Sequence, residues 1–211
     1  MPMLIADQRS PEWHTARLNR ITASTAAGCL GLDDEAGPVA TYRRIKGLTK
    51  LEDNLYLQHG RENEHRARSE YEVLTGRLAV ETGFWTHPLY DWLGASPDGL
   101  IGEDGGLECK CPVSKLPTEV PQKHWVQCQV NMIVTNRLWW DYLAWNQELG
   151  VFGPVRIERD GAIEFKILGL LKLFWETYLS KNVEPPKLRK KLFDGLDVTK
   201  ELFRTMTPTS Y

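Results

Sequence analysis

At 211 residues, with 42% hydrophobic and 26% charged residues, the chain has the length and balance of one globular domain with a sizeable core. Its 26 Lys and Arg against 28 Asp and Glu give a net charge of −2, which argues against a broad nonspecific nucleic-acid surface but leaves room for a local basic channel. No apolar run reaches the length of a membrane span and no secretory pattern opens the chain. The four cysteines (Cys29, Cys109, Cys111, Cys128) form neither a disulfide framework nor a zinc pattern, so thiols in a reducing cytoplasm are expected.

Ser10-Pro11-Glu12 opens a helix with a capping hydroxyl, a proline in its first turn and an early acid, and the pattern carries it to about Asn19. Thr22-Ala23-Ser24 caps a second short helix ended by Gly28 or Gly31, and a third runs over 39–45 to Gly47. A long helix is predicted over 55–75, with Leu57, Ala67, Tyr71 and Leu74 among its apolar positions and Gly76 at its end. Strands follow over 78–86, 92–101 and 107–111, the last two joined through the turn cluster Gly102 to Gly106. After a proline-bearing loop comes a helix over 122–135, then a hairpin of strands over 138–145 and 151–158, and a final helix over 162–179. Residues 1–181 read as the domain and 182–211 as a tail with Pro185-Pro186, a basic stretch over 187–191 and a short helix over 199–206. The order of elements predicts an α/β domain with a central mixed sheet flanked by helices.

The most informative spacing is Asp98-(x)9-Glu108-x-Lys110. Side chains alternate along a strand, so Glu108 and Lys110 share one face while Leu107, Cys109 and Cys111 take the other. With Asp98 opposite them on the adjacent strand, two carboxylates and an ammonium converge. Two hard oxygen ligands suit Mg²⁺, and the set reads as that of a magnesium-dependent nuclease. The plainer reading is an Asp-Gly turn followed by a solvated charged face. It is disfavoured because the strand is apolar on both sides of these charges, and buried charge without a partner is costly.

Four segments together resemble the lambda-exonuclease family, the YqaJ-like phage recombination nucleases of the restriction-endonuclease-like superfamily. They are Trp13-His14-Thr15-Ala16-Arg17-Leu18-Asn19-Arg20-Ile21-Thr22-Ala23-Ser24; Gly60-Arg61-Glu62-Asn63-Glu64 through Ala67 to Tyr71-Glu72; Ser96-Pro97-Asp98-Gly99-Leu100 with Gly106-Leu107-Glu108-Cys109-Lys110-Cys111-Pro112; and Gln127-Cys128-Gln129-Val130-Asn131-Met132. The resemblance spans residues 9–179 in order and implies a restriction-endonuclease-like sheet.

That resemblance also implies roles. Asp98, Glu108 and the backbone carbonyl of Cys109 would hold the metal, Mg²⁺ with Mn²⁺ as a substitute and two ions in all. Lys110 would act on the attacking water, Glu64 would support the second metal or its waters, and Gln127 would position the water or the scissile phosphate. The choice between Gln127 and Gln129 stays open. Arg17, Ser24 and Ser96 would form a pocket for a 5′-terminal phosphate, and Trp13 would stack near the DNA end or serve the core. The implied activity is processive 5′-to-3′ digestion of double-stranded DNA ends to mononucleotides, by a homotrimeric ring that leaves a 3′ single strand for a single-strand annealing protein. The implied setting is the cytoplasm of a bacterium carrying the phage or prophage. The linker from Lys110 to Gln127 is shorter than in the best-known member, and the tail aligns with nothing in the family. The alternatives are an endonuclease of the same superfamily and a catalytically dead DNA-end-binding module.

Overall fold

The computed structural model describes residues 3–49 and 55–187. The helix expected over 199–206, most of the tail and all but Lys187 of the basic stretch lie outside the described residues. In chain order the elements are β1 (Met3–Ala6), α1 (Pro11–Arg17), β2 (Ile21–Thr22), α2 (Ala23–Cys29), α3 (Pro38–Ile45) and α4 (Leu55–Thr75). They continue with β3 (Phe84–Thr86), β4 (Leu93–Ala95), β5 (Gly99–Ile101), β6 (Gly105–Lys110), α5 (Gln122–Thr135), β7 (Trp139–Asn146), β8 (Gly150–Glu158) and α6 (Gly161–Phe174). A π-helical turn, Trp175–Leu179, prolongs α6.

The strands form two four-stranded sheets, ordered β1-β3-β4-β2 and β5-β6-β7-β8. Both are mixed: β2 lies parallel to β4, and β6 lies parallel to β7, while the other pairs are antiparallel. Parallel neighbours need a crossover, and α5 supplies the one between β6 and β7. One face of the second sheet receives α4 through buried Ala67 and Tyr71, against Leu107, Cys109 and Leu143. The other face receives α5, through Cys128 and Met132 against Trp140 and Tyr142. The largest cluster joins α2, α3, α5 and α6 to β2 and β4. Thus α5 is packed on all sides, and every residue from Val126 to Thr135 is buried.

Several expectations are corrected. The strand expected over 92–101 is two strands in different sheets, parted at Ser96-Pro97-Asp98. Pro97 cannot donate to a ladder and restricts the residue before it, so the chain changes sheets there. The strand expected over 78–86 is reduced to β3 and one isolated bridge, Val80 to Leu100. Between them Gly83 passes the backbone of β1 so closely that a Cβ would lie 1.8 Å from the Ala6 carbonyl oxygen. Gly105 and Gly106, read as turn residues, begin β6. A Cβ at Gly106 would lie 2.3 Å from the fully buried Trp140 ring, so glycine here makes room for the indole. The two short strands β1 and β2 were not expected. Helix α1 ends at Arg17 rather than Asn19, which has a left-handed φ of 53°. On α4, Leu57 and Leu74 are exposed and only Ala67 and Tyr71 reach the core.

Candidate active site

The register of the β5–β6 hairpin, Gly99 against Leu107, sets Asp98 beside the stretch that carries Glu108. Asp98 Oδ2 accepts a hydrogen bond from the Cys109 N–H at 2.8 Å. Glu108 points to the α5 side of the sheet and is 1% exposed. Its Oε1 accepts from the Lys110 ammonium and from Gln127 Nε2 at 2.7 Å, and its Oε2 accepts from Asn131 Nδ2 at 3.0 Å. Gln127 and Asn131 are four residues apart on α5, hence on one face of the helix. Glu64, on α4, pairs with Arg9 at 2.9 Å. One turn further on, Arg68 donates to the Asp98 carbonyl at 2.8 Å and so pins the turn to α4.

The electrostatics are those of crowded, buried carboxylates. Burial, then repulsion from Glu108 and Glu64, holds the Asp98 carboxyl well above the usual range, against the pull of Lys110 and the Cys109 N–H. Burial also raises Glu64, which Arg9 and Arg68 partly offset. Burial alone would depress Lys110, but Glu108 and Asp98 outweigh it and hold the ammonium above its ordinary value. In this arrangement the Lys110 ammonium is a hydrogen-bond donor to Glu108.

A second constellation lies across the same turn. Trp13 Nε1 donates to Ser96 Oγ at 2.9 Å, Arg17 donates to Ser96 Oγ at 3.0 Å, and its other terminal nitrogen donates to Ser24 Oγ at 3.2 Å. The Arg17 guanidinium stacks over the Trp13 ring at 4.2 Å, a cation–π arrangement that leaves its charge uncompensated. Burial, then the charge of Arg44, lowers Arg17 to about 10. The Ser24 hydroxyl is exposed, and the capping of α2 falls to Thr22 and Thr25.

The donors fit a hard divalent cation. A carboxylate offers about four acceptor positions. Glu108 uses three, leaving one, while Asp98 Oδ1 has no hydrogen-bond partner among the described residues. Among the described residues no three His, Cys, Asp or Glu side chains are grouped tightly enough to enclose a metal by themselves. Mg²⁺ is commonly held by one or two carboxylates and retains waters, and the free positions on Asp98 and Glu108 are of that kind. A cation between Asp98 and Glu108 would also relieve the repulsion that raises Asp98.

A family model, the YqaJ-like viral recombinase domain, matches residues 12–138. The chain belongs to this family. Among solved structures it is 31% identical to an alkaline exonuclease, LHK-Exo, from Laribacter hongkongensis, over 83% of this chain and 95% of that one, with a TM-score of 0.70. A structure of LHK-Exo in complex with dAMP matches over the same shares with a TM-score of 0.68. A phage related exonuclease from Haemophilus somnus 129PT shares the fold at 16% identity, with a TM-score of 0.60 over 77% of this chain and 95% of that one. No curated protein sequence matches. The resemblance read from the motifs is thus borne out, and so is the α/β class with mixed sheets and flanking helices.

Within this YqaJ-like domain the residues expected at a site gather as two groups. Asp98, Glu108, Lys110, Cys109, Glu64 and Gln127 gather about the carboxylates; Arg17, Ser24, Ser96 and Trp13 gather across the turn. Gln127 turns to Glu108 rather than outward, and Gln129 turns the other way, to the Glu158 carbonyl at 3.1 Å. Sequence reading passed over Asn131, although its position four residues after Gln127 marked the same helix face. The contact of Arg68 with the Asp98 carbonyl leaves no sequence signal, since the acceptor is backbone.

Proposed function

We propose that the chain is a metal-dependent deoxyribonuclease that digests double-stranded DNA ends 5′ to 3′ and releases mononucleotides. The observation that carries this reading is the Ser96-Pro97-Asp98 turn. Ser96 accepts from Trp13 and Arg17 on one side, and Asp98 belongs to the carboxylate centre two residues on. A strand end held by Arg17, Ser24 and Ser96 would lie one short step from the carboxylates, which favours removal of terminal units. Family membership and the likeness to LHK-Exo support a nuclease, and that enzyme's complex with dAMP supports a nucleoside monophosphate as the product class.

Asp98, Glu108 and the Cys109 carbonyl would hold Mg²⁺, with Glu64 beside a second ion or its waters. Bound there, the metal would make water a better nucleophile and stabilise charge on the departing oxygen. The chain's own residues do the rest. Gln127 and Asn131 fix the Glu108 carboxylate, and Lys110 offers a donor to the water or to charge developing on the phosphate. Arg17 and the two serines grip the terminal phosphate without reading bases, and Trp13 supports the guanidinium.

The resemblance further supports a ring of three copies for processive digestion, a single-strand annealing protein as partner, the 182–211 tail as a contact with either, and action in a bacterial cytoplasm. Among the described residues no helix is long and apolar enough to cross a membrane. The dead-module alternative is disfavoured because Asp98, Glu108 and Lys110 are all present and together.

The test is digestion of linear duplex DNA, with Mg²⁺ or EDTA, beside a closed circle. Mg²⁺-dependent loss of the linear form with the circle intact is the expected result. Cutting of the circle would replace the reading with an endonuclease, and no hydrolysis would leave an end-binding module.

A further inference from the structure

A second guanidinium stands near the terminal-phosphate pocket. Arg44 lies in the last turn of α3. That end of α3 is fastened to the segment that carries Arg17: the Asn19 N–H donates to the Ile45 carbonyl at 2.9 Å, and the Leu18 side chain lies 3.4 Å from where a Cβ on Gly47 would be. Arg44 is near enough to Arg17 for their charges to repel.

Neither member of the pair makes a hydrogen bond or close ion pair to a carboxylate among the described residues. Arg17 donates to two neutral hydroxyls and stacks on an indole. Arg43 turns away to Glu184, with hydrogen bonds of 2.7 and 3.0 Å. The Arg44 side chain, by contrast, makes no hydrogen bond or close ion pair among the described residues. The charge of Asp33 acts on it from further off and is shared with Lys123, 3.7 Å from Asp33. The two cations repel each other in the free protein, and an anion of charge near −2 would relieve that.

We propose that Arg44 supplies the second positive charge of the pocket and makes it selective for a doubly charged phosphomonoester at a strand end over a singly charged phosphodiester. The inference rests on the exonuclease reading and deepens it. A terminal phosphate carries about −1.5 to −2 at neutral pH, whereas every internal phosphate carries −1. One arginine attracts both. A second adds more for the monoester, and so distinguishes an end from the body of a strand.

The test is equilibrium binding in EDTA of one short duplex whose 5′ terminus is a phosphate, a methyl-capped phosphodiester or a hydroxyl. Wild type is expected to favour the phosphate over the methyl-capped terminus by about tenfold, the worth of a charge-assisted contact. Arg44→Ala should reduce that ratio to near one, and Arg44→Lys should retain most of it. Arg17→Ala should weaken both charged termini toward the hydroxyl. Because Arg44 is exposed, its variants should melt with wild type, and Arg44→Gln serves if the alanine variant does not fold. An unchanged ratio in Arg44→Ala would overturn the proposal while leaving the exonuclease reading intact. A wild type that does not distinguish the phosphate from its methyl-capped form would do the same. A wild type indifferent to all three termini would remove the terminal-phosphate pocket as well.

Discussion

The carboxylate centre and the arginine pocket meet at one three-residue turn, yet they are built by opposite means. The centre is closed: Glu108 is buried on a central strand, and three donors from its own strand and from α5 fix both of its oxygens. The pocket is open: Arg17 ends a short helix, Ser24 is exposed, and the charge is left unpaired. The difference suits the two roles proposed for them. Reacting groups must be held within a fraction of an ångström, whereas a site that grips and releases each new strand end needs access and charge more than rigidity.

That contrast can be broken in four ways. Lys110→Ala should lower single-turnover hydrolysis by about 10²–10³-fold, the scale of losing one aligned donor, while end binding persists; normal turnover would remove Lys110 from the chemistry. Arg17→Ala should do the reverse, weakening binding of 5′-phosphorylated ends by about 10–100-fold while leaving Mg²⁺ binding to the centre intact by calorimetry. Equal binding by the variant would move the pocket elsewhere. Asn131→Ala frees one oxygen of Glu108 and should weaken Mg²⁺ binding by about 10-fold, the low end for a residue that orients a metal ligand, with the terminal-phosphate preference unchanged. An unaltered titration would make Asn131 part of the packing alone. The smallest effect is on stability. Asp98→Asn removes one of the buried, mutually repelling charges and should raise the metal-free melting temperature by about 2–4 °C for each kcal/mol relieved. It should also abolish the stabilisation that Mg²⁺ gives wild type. A lower metal-free melting temperature would mean that the charges are not in conflict.

Much of this was legible in the sequence, unevenly. Helices α4 and α5 and the β7–β8 hairpin stand where the sequence put them, although of the expected apolar positions on α4 only Ala67 and Tyr71 reach the core. The alternation of Glu108 and Lys110 against Leu107 and Cys109 placed the centre on the right face of β6. Less legible was the seam between the sheets. An apolar run such as 92–101 does not show which ladder each half joins, and Pro97 was the only mark of the break. Strands as short as Ile21–Thr22 carry no pattern of their own and depend on β4 for pairing. The motif named Arg17, Ser24 and Ser96 but not their mutual contacts, of which the one between Arg17 and Ser96 joins residues 79 positions apart at the turn.

The central claim is that a strand end seated in the pocket presents its first phosphodiester to the carboxylates across that turn. The most direct measurement is the identity of the first product from a duplex with a 5′-labelled phosphate, resolved in single turnover with Mg²⁺. The account predicts a labelled nucleoside 5′-monophosphate. Release of label first as an oligonucleotide, or digestion that begins from the 3′ end, would contradict it.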